Sequence, residues 1–393
     1  MTNGNGWAEI PLGELCRLVN GKAFNPSDWT ETGLPIIRIQ NLNDVSKPFN
    51  HWAGSLERQV MVKAGDVLLG WSGTPGTSFG AHIWERQQGV LNQHIFRLDL
   101  DETRIAKEWA VPAINHQLEF LIGKAHGGVG LRHVKKAEVE SLLIPLPPLA
   151  EQKRIAGILK EQLAAVERAR GAAEAQLEAA KVLPGAYLRA EFAALTDYKT
   201  IRLSEIASRG ITYGIVLTGD HCPEGVPTVR GGDIKGFKID RECLKGVEPH
   251  ISEQFSRTVL RGDEVLLVIR GYPGNVAVVA PELVECNVAR EIAVIPTPSN
   301  WSRSYLQYAI ASPNVQRRIS DKTIGAAQKG INLSDVADLE IPIISLSAQA
   351  ELADRLSAAL DGSDEVMAAI RSEIHSIEAI PAALLRSALQ GRL

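Results

Sequence analysis

Side chains that could read the edges of DNA bases follow short apolar runs in the first half of the chain. They are Arg38, Gln40, Asn41 and Asn43 in IRIQNLN, and Asn92, Gln93 and His94 in LNQHIF. In the major groove, arginine can form two hydrogen bonds with guanine, and asparagine or glutamine can form two with adenine. We therefore predict base readers among these residues, and a hydrogen bond inside a loop is the alternative for each.

The second half of the chain carries unlike residues at the matching places. The counterparts of the two polar clusters are Arg230, Asp233 and Lys235, followed by Asn287 and Arg290. Trp71, Ser72 and Thr74 are matched by Arg270 and Tyr272. Two domains that read different bases are expected to differ where they read them, so these residues are also predicted to bind DNA.

A basic cluster also occurs in each half, where a glycine-rich stretch follows a predicted helix. The clusters are Lys124, Arg132, His133, Lys135 and Lys136 in the first half, and Arg317, Arg318, Lys322 and Lys329 in the second, where the neighbouring Gln328 is also predicted to bind DNA. Glycine lets a backbone approach a phosphate closely, and Lys or Arg neutralises it. We predict phosphate contacts here, and a solvated charged face is the alternative.

Motifs for enzyme chemistry are missing from the sequence. It has no GxxxxGK[ST] phosphate loop, no HExxH and no GxSxG. The glycines between Gly70 and Gly80 lack the spacing of a dinucleotide loop. Asp66 and Asp263 recur in both halves, and we interpret each as a turn former before an apolar strand. We predict a binding protein with no catalytic residue, cofactor site or metal site.

The four cysteines and the composition favour a globular, cytoplasmic protein. Cys16, Cys222, Cys243 and Cys286 show no CxxC spacing, which favours reduced thiols over a zinc site. The apolar fraction of 45% allows sizeable cores, and the net charge of −4 argues against a general polyanion binder. No run of about 18 apolar residues occurs and the first residues are polar, so we expect neither a membrane span nor a signal peptide.

Two long helices are predicted to position the polar clusters. After the prolines at 145, 147 and 148, apolar residues such as Ile155, Leu159 and Leu163 recur at steps of three, four or seven. That spacing places them on one face of a helix from about Leu149 to Leu183. Because this face is narrow, the helix needs a partner helix, and the last stretch of the chain supplies one.

The partner helix repeats the first at an offset of half the chain. Moving Ile144 by 197 residues places it on Ile341, and the same shift places Gln152 on Gln349. The globular parts repeat as well, since Gly65-Asp66 before VLLG matches Gly262-Asp263 near VLLV. A colinear series of matches along the whole chain indicates an internal duplication.

We therefore predict an α+β fold of mixed α/β type with four parts. Two duplicated globular units are separated by a long antiparallel two-helix coiled coil with pseudo-twofold symmetry. The predicted boundaries are 1–143 and 192–340 for the globular units, and 144–191 and 341–393 for the helices. Within the units we expect a strand over Pro35–Gln40, a helix over Lys107–Ile122, and a helix over Ser302–Ser320 capped by Ser302.

The segment IPLPPLAEQKRIAGIL and the half-length repeat resemble the specificity subunits of type I restriction–modification systems, and this resemblance covers the whole chain. It implies that residues 1–143 and 192–340 are target-recognition domains, each reading one half of a split double-stranded DNA sequence. It also implies that the helices act as a spacer and dock methyltransferase subunits, and that restriction and translocase subunits join them. S-adenosylmethionine, ATP and Mg²⁺ would then belong to those partner subunits.

Glu151, Lys153 and Arg154 stand at the start of the first long helix and are predicted to contact the methyltransferase subunit. The second helix, ISLSAQAELADRL, lacks the double proline and the glutamate of the first copy.

Two other classes of protein stay open at this stage. One is a stand-alone, sequence-specific DNA-binding regulator that needs no partner subunit. The other is an enzyme, such as a nuclease, whose active site carries no recognisable motif.

Overall fold

The computed structural model of the chain describes residues 6–44, 46–54, 60–73, 79–124, 132–323 and 330–393. Its contacts divide the chain into two compact units. The first unit comprises Met1–Ala173 with Glu373–Leu393, and the second comprises Glu174–Ser372. Each unit therefore combines a globular part with portions of both long helices.

The first unit contains twelve strands and three complete helices among its described residues, followed by most of a fourth helix. The strands are β1 (Ala8–Pro11), β2 (Cys16–Asn20), β3 (Leu34–Ile37), β4 (Asn50–Trp52), β5 (Met61–Val62), β6 (Val67–Gly70), β7 (Ser72–Gly73), β8 (Gly80–Ile83), β9 (Gly89–Leu91), β10 (Ile95–Leu100), β11 (Arg132–His133) and β12 (Leu143–Leu146). The helices are α1 (Ile39–Asn43), α2 (Lys107–Lys124), α3 (Lys136–Glu140) and α4 (Leu149–Ala180).

The second unit repeats much of this order. Its strands are β13 (Thr200–Arg202), β14 (Thr212–Tyr213), β15 (Val226–Val229), β16 (Ile234–Lys235), β17 (Lys238–Ile239), β18 (Lys245–Val247), β19 (Glu264–Val268), β20 (Val276–Val278), β21 (Asn287–Val288), β22 (Ile292–Pro296) and β23 (Glu340–Pro342). Its helices are α5 (Leu183–Ala193), α6 (Leu203–Ile206), α7 (Pro249–Gln254), α8 (Arg303–Ala311), α9 (Pro313–Lys322), α10 (Leu333–Ala337) and the first part of α11 (Leu346–Leu389).

Each unit is built around a four-stranded antiparallel sheet. The strand order is β2-β10-β6-β8 in the first unit and β14-β22-β19-β20 in the second. A second sheet follows in each, with order β4-β3-β9-β5 and β18-β15-β21, and its pairs β3–β9 and β15–β21 are parallel. The matching strand orders are what a duplicated globular unit would produce.

We call these four-stranded sheets the main sheets. Strands β6 and β19 in them carry apolar side chains on both faces, because other elements cover both faces of each sheet. Leu69 belongs to a core cluster with Trp109 of α2, whereas Leu68 belongs to a cluster with Ile37 of the second sheet. Successive side chains of a strand point to opposite faces, so neighbouring leucines enter different cores. In the second unit, Leu267 and Leu266 divide between two clusters in the same way.

The structure corrects two predicted elements. The strand predicted over Pro35–Gln40 ends at Ile37, and α1 begins at Ile39. The helix predicted over Ser302–Ser320 is two helices that meet at Ser312, because Pro313 lacks an N–H and disfavours helical geometry in the residue before it. The cap at Ser302 is confirmed, since its hydroxyl accepts the Tyr305 N–H at 3.2 Å.

The long helices pair within each unit. In the first unit, Ile155 and Leu159 of α4 share a core cluster with Leu389 of α11, and Arg154 Nη2 donates to the Leu393 carbonyl at 2.7 Å. In the second unit, Arg355 of α11 forms an ion pair of 2.7 Å with Glu191 of α5. The start of one helical stretch thus lies beside the end of the other in both units, which is the pairing of an antiparallel helix pair.

A buried glutamine joins each long helix to its globular part. Gln152 is fully buried; its Oε1 accepts the Ala106 N–H at 2.8 Å, and its Nε2 donates to the carbonyls of Arg104 and Pro147 at 3.0 and 2.8 Å. Gln349 is buried as well, and its Oε1 accepts the Ser302 N–H at 2.8 Å. These two residues, 197 positions apart, make the same contact with the start of α2 and of α8. We call them the glutamine clamps.

A buried aromatic side chain makes a second repeated contact beside each clamp. The Trp109 indole N–H donates to the Pro145 carbonyl at 2.8 Å, and the Tyr305 hydroxyl donates to the Pro342 carbonyl at 2.8 Å. Burial raises the pKa of Tyr305, so its hydroxyl stays protonated as a donor. Each globular helix is therefore held to the segment before its long helix by a side-chain donor.

We predict that Gln152→Leu lowers the free energy of unfolding by about 2–4 kcal/mol, because it leaves the Ala106 N–H and two carbonyls buried without partners. Urea unfolding measures the loss, and hydrogen exchange at the Ala106 amide should become faster. The control is Gln176→Leu on the exposed face of α4, expected to stay within about 0.5 kcal/mol of the parent. Equal losses in the two variants would contradict the clamp.

Candidate nucleic-acid interface

A cleft in the first unit brings together seven of the predicted base readers. It lies where β3 and β9 end and has a volume of about 580 Å³. Because β3 and β9 are parallel, the residues that follow them lie at the same edge of the sheet. We call it cleft 1, and the predicted residues that line it are Arg38, Gln40, Asn43, Ser72, Asn92, Gln93 and His94.

A tight turn places Gln93 at cleft 1. The Ile95 N–H donates to the Asn92 carbonyl at 3.1 Å, and the Asn92 N–H donates to the Ile37 carbonyl at 3.1 Å. The Gln93 side chain is exposed, with its Nε2 3.3 Å from His94 Nε2. A turn fixed at both ends therefore presents an amide that a ligand in the cleft can reach.

The side-chain amide of Asn41 forms hydrogen bonds within its own loop. The side chain is buried; its Oδ1 accepts the Arg38 N–H at 3.1 Å, and its Nδ2 donates to the carbonyls of Lys47 and Pro48 at 3.1 and 3.2 Å. The same cap recurs in the second unit, where Asp233 Oδ2 accepts the Arg230 N–H at 2.8 Å. These bonds explain why a short polar side chain recurs three residues after each arginine.

Six lining residues of cleft 1 are absent from the sequence prediction, namely Phe24, Trp29, Ile36, Ile39, Asp44 and Lys47. Trp29 is 42% exposed, and the Arg38 guanidinium lies 5.9 Å from its ring centroid. An aromatic ring at a cleft can stack on a base. The signal that could have identified Trp29 is a large aromatic residue inside the polar, proline-containing segment NPSDWT.

Trp71 and Ser72 lie between cleft 1 and the core. The Trp71 ring stacks on Phe96 with centroids 5.4 Å apart, and Trp71 packs against the main core cluster. Ser72 is buried and lines the cleft. Thr74 lies outside the described residues.

The second unit has an equivalent turn that carries Arg290. The Ile292 N–H donates to the Ala289 carbonyl at 3.0 Å, and the Ala289 N–H donates to the Val229 carbonyl at 2.8 Å. These bonds match those of the first turn one for one, so Arg290 occupies the position of Gln93. The Arg290 side chain is exposed.

Arg290 lines a smaller cleft of about 270 Å³, which we call cleft 2 and which Glu291 and the 215–219 segment complete. Leu217 in this segment is 79% exposed. The Arg230 guanidinium stands beside cleft 2, since its Nη2 lies 3.5 Å from Thr218 Oγ1.

Asn287 is a structural residue in the second unit. Its side chain is fully buried; its Oδ1 accepts the Thr258 hydroxyl at 2.8 Å and its Nδ2 donates to Ser252 Oγ at 2.9 Å. In the strand register Asn287 pairs with Thr228 as Val90 pairs with Ile36. The structure therefore corrects the sequence match, in which Asn287 belongs with the Asn92 cluster.

The other predicted residues of the second unit are exposed. Lys235 ends β16, and Arg270 forms a backbone bridge with Gly330. Tyr272 is 78% exposed. By the sheet registers, Arg270 is the equivalent of Ser72, so a long cation replaces a buried hydroxyl beside the second cleft.

The basic clusters are described only in part. Lys124 is the last residue of α2, and Arg132 and His133 form β11. Gln328 and Lys329 lie outside the described residues. The exposed Lys135 precedes α3, and its backbone N–H donates to Glu138 Oε2 at 2.7 Å.

Several cations of these clusters already have partners within the unit. Lys136 Nζ donates to the Leu18 carbonyl at 3.1 Å. Lys322 Nζ lies 3.7 Å from Asp335 Oδ1. Such exposed pairs contribute little to stability and leave the cations accessible to a phosphate.

Two of the three predicted partner-binding residues pair with each other. Arg154 donates two hydrogen bonds of 2.8 Å to the Glu151 carboxylate. These bonds lower the pKa of Glu151. Lys153 is exposed, and no described ion pair joins it to Glu151 or Arg154. Of the three charges, Lys153 is therefore the one most available to a partner.

The prediction of a turn-forming carboxylate holds for Asp66 and is wrong for Asp263. Asp66 Oδ2 accepts the Lys63 N–H at 2.9 Å before β6. The equivalent acceptor in the second unit is Glu264, whose carboxylate accepts the Arg261 N–H at 3.0 Å. The sheet registers thus match Asp66 with Glu264, and Asp263 instead forms an ion pair of 2.8 Å with Arg209.

The cysteines are free thiols. Burial raises the pKa of the Cys16 thiol to about 12, and burial also raises the pKa of Cys286. A protonated thiol is a poor nucleophile and a poor metal ligand. Within the described ranges, no group of three or more His, Cys, Asp or Glu side chains could hold a metal ion. In the same ranges no helix is long and apolar enough to cross a membrane.

Comparison with known proteins finds one family model and several related chains. Residues 4–178 match the family model for the type I restriction modification DNA specificity domain. The specificity subunit of the type I restriction enzyme EcoBI from Escherichia coli is 25% identical, over 99% of this chain and 86% of that protein. The MjaVIII specificity subunit from Methanocaldococcus jannaschii is 22% identical, over 98% of this chain and 93% of that protein.

Solved structures have the same fold. The HsdS subunit from Thermoanaerobacter tengcongensis is 19% identical and superposes with a TM-score of 0.65 over 100% of this chain and 98% of its own. A second solved structure concerns complex assembly and conformational transition of the type I restriction–modification system. One of its chains is 18% identical and superposes with a TM-score of 0.74 over 98% of both chains.

Two units of like topology, each with a polar cleft and each tied to paired long helices, define a two-part recognition protein with no catalytic constellation among its described residues. By the comparisons, the chain is similar over nearly its whole length to specificity subunits of type I restriction enzymes.

We predict that Asn287→Ala lowers the free energy of unfolding by about 2–4 kcal/mol, because it removes the buried partner of Thr258 and Ser252. The control is Lys235→Ala in the same unit, which removes an exposed side chain and is expected to change stability by less than about 0.5 kcal/mol. Thermal unfolding of the two variants measures the difference. An Asn287→Ala variant as stable as the parent would show that the amide has no structural role.

Proposed function

We propose that this chain is the DNA-recognition subunit of its complex, and that each unit reads one half of a bipartite target in double-stranded DNA. The observation that carries the proposal is the equivalence of clefts 1 and 2. They follow parallel strands of matching sheets, yet unlike polar side chains line them. A repeated scaffold with divergent lining is what two half-sites of different sequence require.

The charge distribution supports specific rather than general DNA binding. A net charge of −4 gives the whole chain no attraction for a polyanion. Arg38 and Lys47 line cleft 1, and Arg290 lines cleft 2. Cations at the clefts can contact phosphates and bases there, and Asp44 and Glu291 line the same clefts. The candidate DNA-contacting residues are those named above, apart from Asn41 and Asn287, whose amides bond within the protein.

The partner subunits follow from the same proposal. The paired helices set the gap between the two half-sites and dock methyltransferase subunits, and restriction and translocase subunits complete the complex. S-adenosylmethionine, ATP and Mg²⁺ belong to those subunits, and the assembly acts on DNA in the cytoplasm. The alternative of a stand-alone regulator has less support, because the relatives are subunits of restriction enzymes.

A unit exchange tests the proposal. Replacing residues 1–146 with the corresponding residues of another specificity subunit should change one half of the methylated sequence and leave the other half intact. The junction after Leu146 keeps the β1–β12 ladder inside the transplanted part. Genome-wide methylation mapping with the assembled methyltransferase provides the readout. A change in both halves would show that the units do not read independently.

Charge reversal tests the docking site. Lys153→Glu should weaken association with the methyltransferase subunit about tenfold or more, because a like-charge contact replaces a favourable one. Reversing Glu151 or Arg154 is less informative, since that would also break their ion pair and the bond to Leu393. The control is Arg168→Glu on an exposed position of α4, about 22 Å further along the helix. Unchanged co-purification of the Lys153→Glu variant would remove Lys153 from the docking surface.

A further inference from the structure

The two cleft turns are superimposable in their hydrogen bonding but differ in the side chain they present. In both, the N–H of the fourth residue returns to the carbonyl of the first, at 3.1 Å for Ile95 to Asn92 and 3.0 Å for Ile292 to Ala289. The second residue of each turn is exposed, and it is Gln93 in one unit and Arg290 in the other. The same backbone turn therefore presents an amide in the first unit and a guanidinium in the second.

Each turn is also fixed to the strand beside it. Parallel bridges join Lys22 to Asn92 in the first unit and Ile215 to Ala289 in the second. Because the residue at the start of each turn is held by two neighbouring segments, the position of the next side chain is set by the sheet and not by a free loop. A rigid support is what base recognition needs, since discrimination depends on the geometry of two hydrogen bonds.

We propose that Gln93 and Arg290 are equivalent specificity-determining residues, Gln93 for an adenine in the half-site of the first unit and Arg290 for a guanine in the half-site of the second. This inference rests on the proposed function. The Gln93 amide offers one donor and one acceptor, which match adenine N7 and N6. The Arg290 guanidinium offers two donors, which match guanine O6 and N7.

The neighbouring cleft residues are less suited to distinguish the half-sites. Arg38 and Arg230 occupy equivalent positions with the same side chain, and both are half-buried beside their caps. A residue that is identical in both units is suited to a shared contact such as a phosphate. Gln93 and Arg290, by contrast, are exposed, lie on rigid turns and have different functional groups.

Glu291 gives the second turn a feature that suits a G·C pair. It follows Arg290 in the turn, and its side chain lines cleft 2. A carboxylate oxygen can accept from the N4 amino group of cytosine, whereas an arginine donates to guanine. Arg290 and Glu291 together therefore carry the donors and the acceptor that such a pair requires.

An exchange of the two side chains tests the inference. Gln93→Arg and Arg290→Gln are made separately in the full chain, assembled with its methyltransferase subunit, and offered a DNA library with both half-sites randomised. Gln93→Arg should change one position of the first half-site from adenine to guanine, and Arg290→Gln should change one position of the second from guanine to adenine. The preference for the new base over the old should be roughly 10- to 100-fold.

The control is Arg257→Gln, which removes the same charge at an exposed position that does not line cleft 2 and should leave both half-sites unchanged. If Arg290→Gln weakens binding equally on all sequences and lowers the salt dependence by about one charge, Arg290 contacts a phosphate and the inference is wrong. The inference is equally overturned if both variants keep the parental sequence. If the parent complex selects no bipartite sequence, the proposed function itself fails.

Discussion

The glutamine clamps are the constraint on which the architecture of both units depends. A buried amide is tolerated only when its donor and acceptor are bonded, and Gln152 meets that condition with three backbone groups from two segments. These bonds fix the first turn of α4 against the start of α2. Because α2 in turn packs on the main sheet, Gln152 joins the start of the long helix to that sheet, together with the Trp109–Pro145 bond and the packing of Ile155 and Leu159. Gln349 has the same role between α11 and α8.

In each unit, the packing of the two sheets positions the cleft at the end of the parallel strands. One face of the main sheet packs on the globular helices and the other packs on the second sheet, so both faces are used for stability. Gln93 and Arg290, which follow the parallel strand pairs of the two second sheets, are exposed to solvent. The clefts form there, where two parallel strands end together and their following residues converge. Polar side chains can vary at such an edge without disturbing either core.

Comparison of the two units separates the scaffold from the recognition surface. The clamps and the donors beside them, Trp109 and Tyr305, make the same contacts in both units. The turn residues Gln93 and Arg290 occupy the same place with unlike side chains. Packing tolerates few solutions at a buried position, whereas an exposed position at a rigid turn is constrained mainly by what it binds. The pattern of likeness and difference is thus that of one fold adapted to two sequences.

The sequence by itself predicted the two long helices, the repeat that relates them, and the correspondence between residues of the first and second halves of the chain. These follow from local periodicity and from a constant offset, which need no knowledge of distant contacts. It also placed the polar clusters at the ends of strands, where cleft 1 is found. Sequence reasoning was wrong at Gln40, which lies in a short helix and not a strand, and at Ser312, where a proline divides the second globular helix.

Only the tertiary structure decided which polar residues are available. Asn41, Asn287 and Gln93 have the same kind of side chain, and their sequence neighbourhoods are similarly polar. Asn41 is buried in hydrogen bonds within its own loop, including one to Lys47, and Asn287 is buried in a hydrogen bond with Thr258, whereas Gln93 is exposed. Gln93 and Arg290 are 197 residues apart, which is also the offset of the long helices, and the matching hydrogen bonds of the two turns show that this correspondence holds in the fold. Burial and register are properties of the folded chain, and no local pattern contains them.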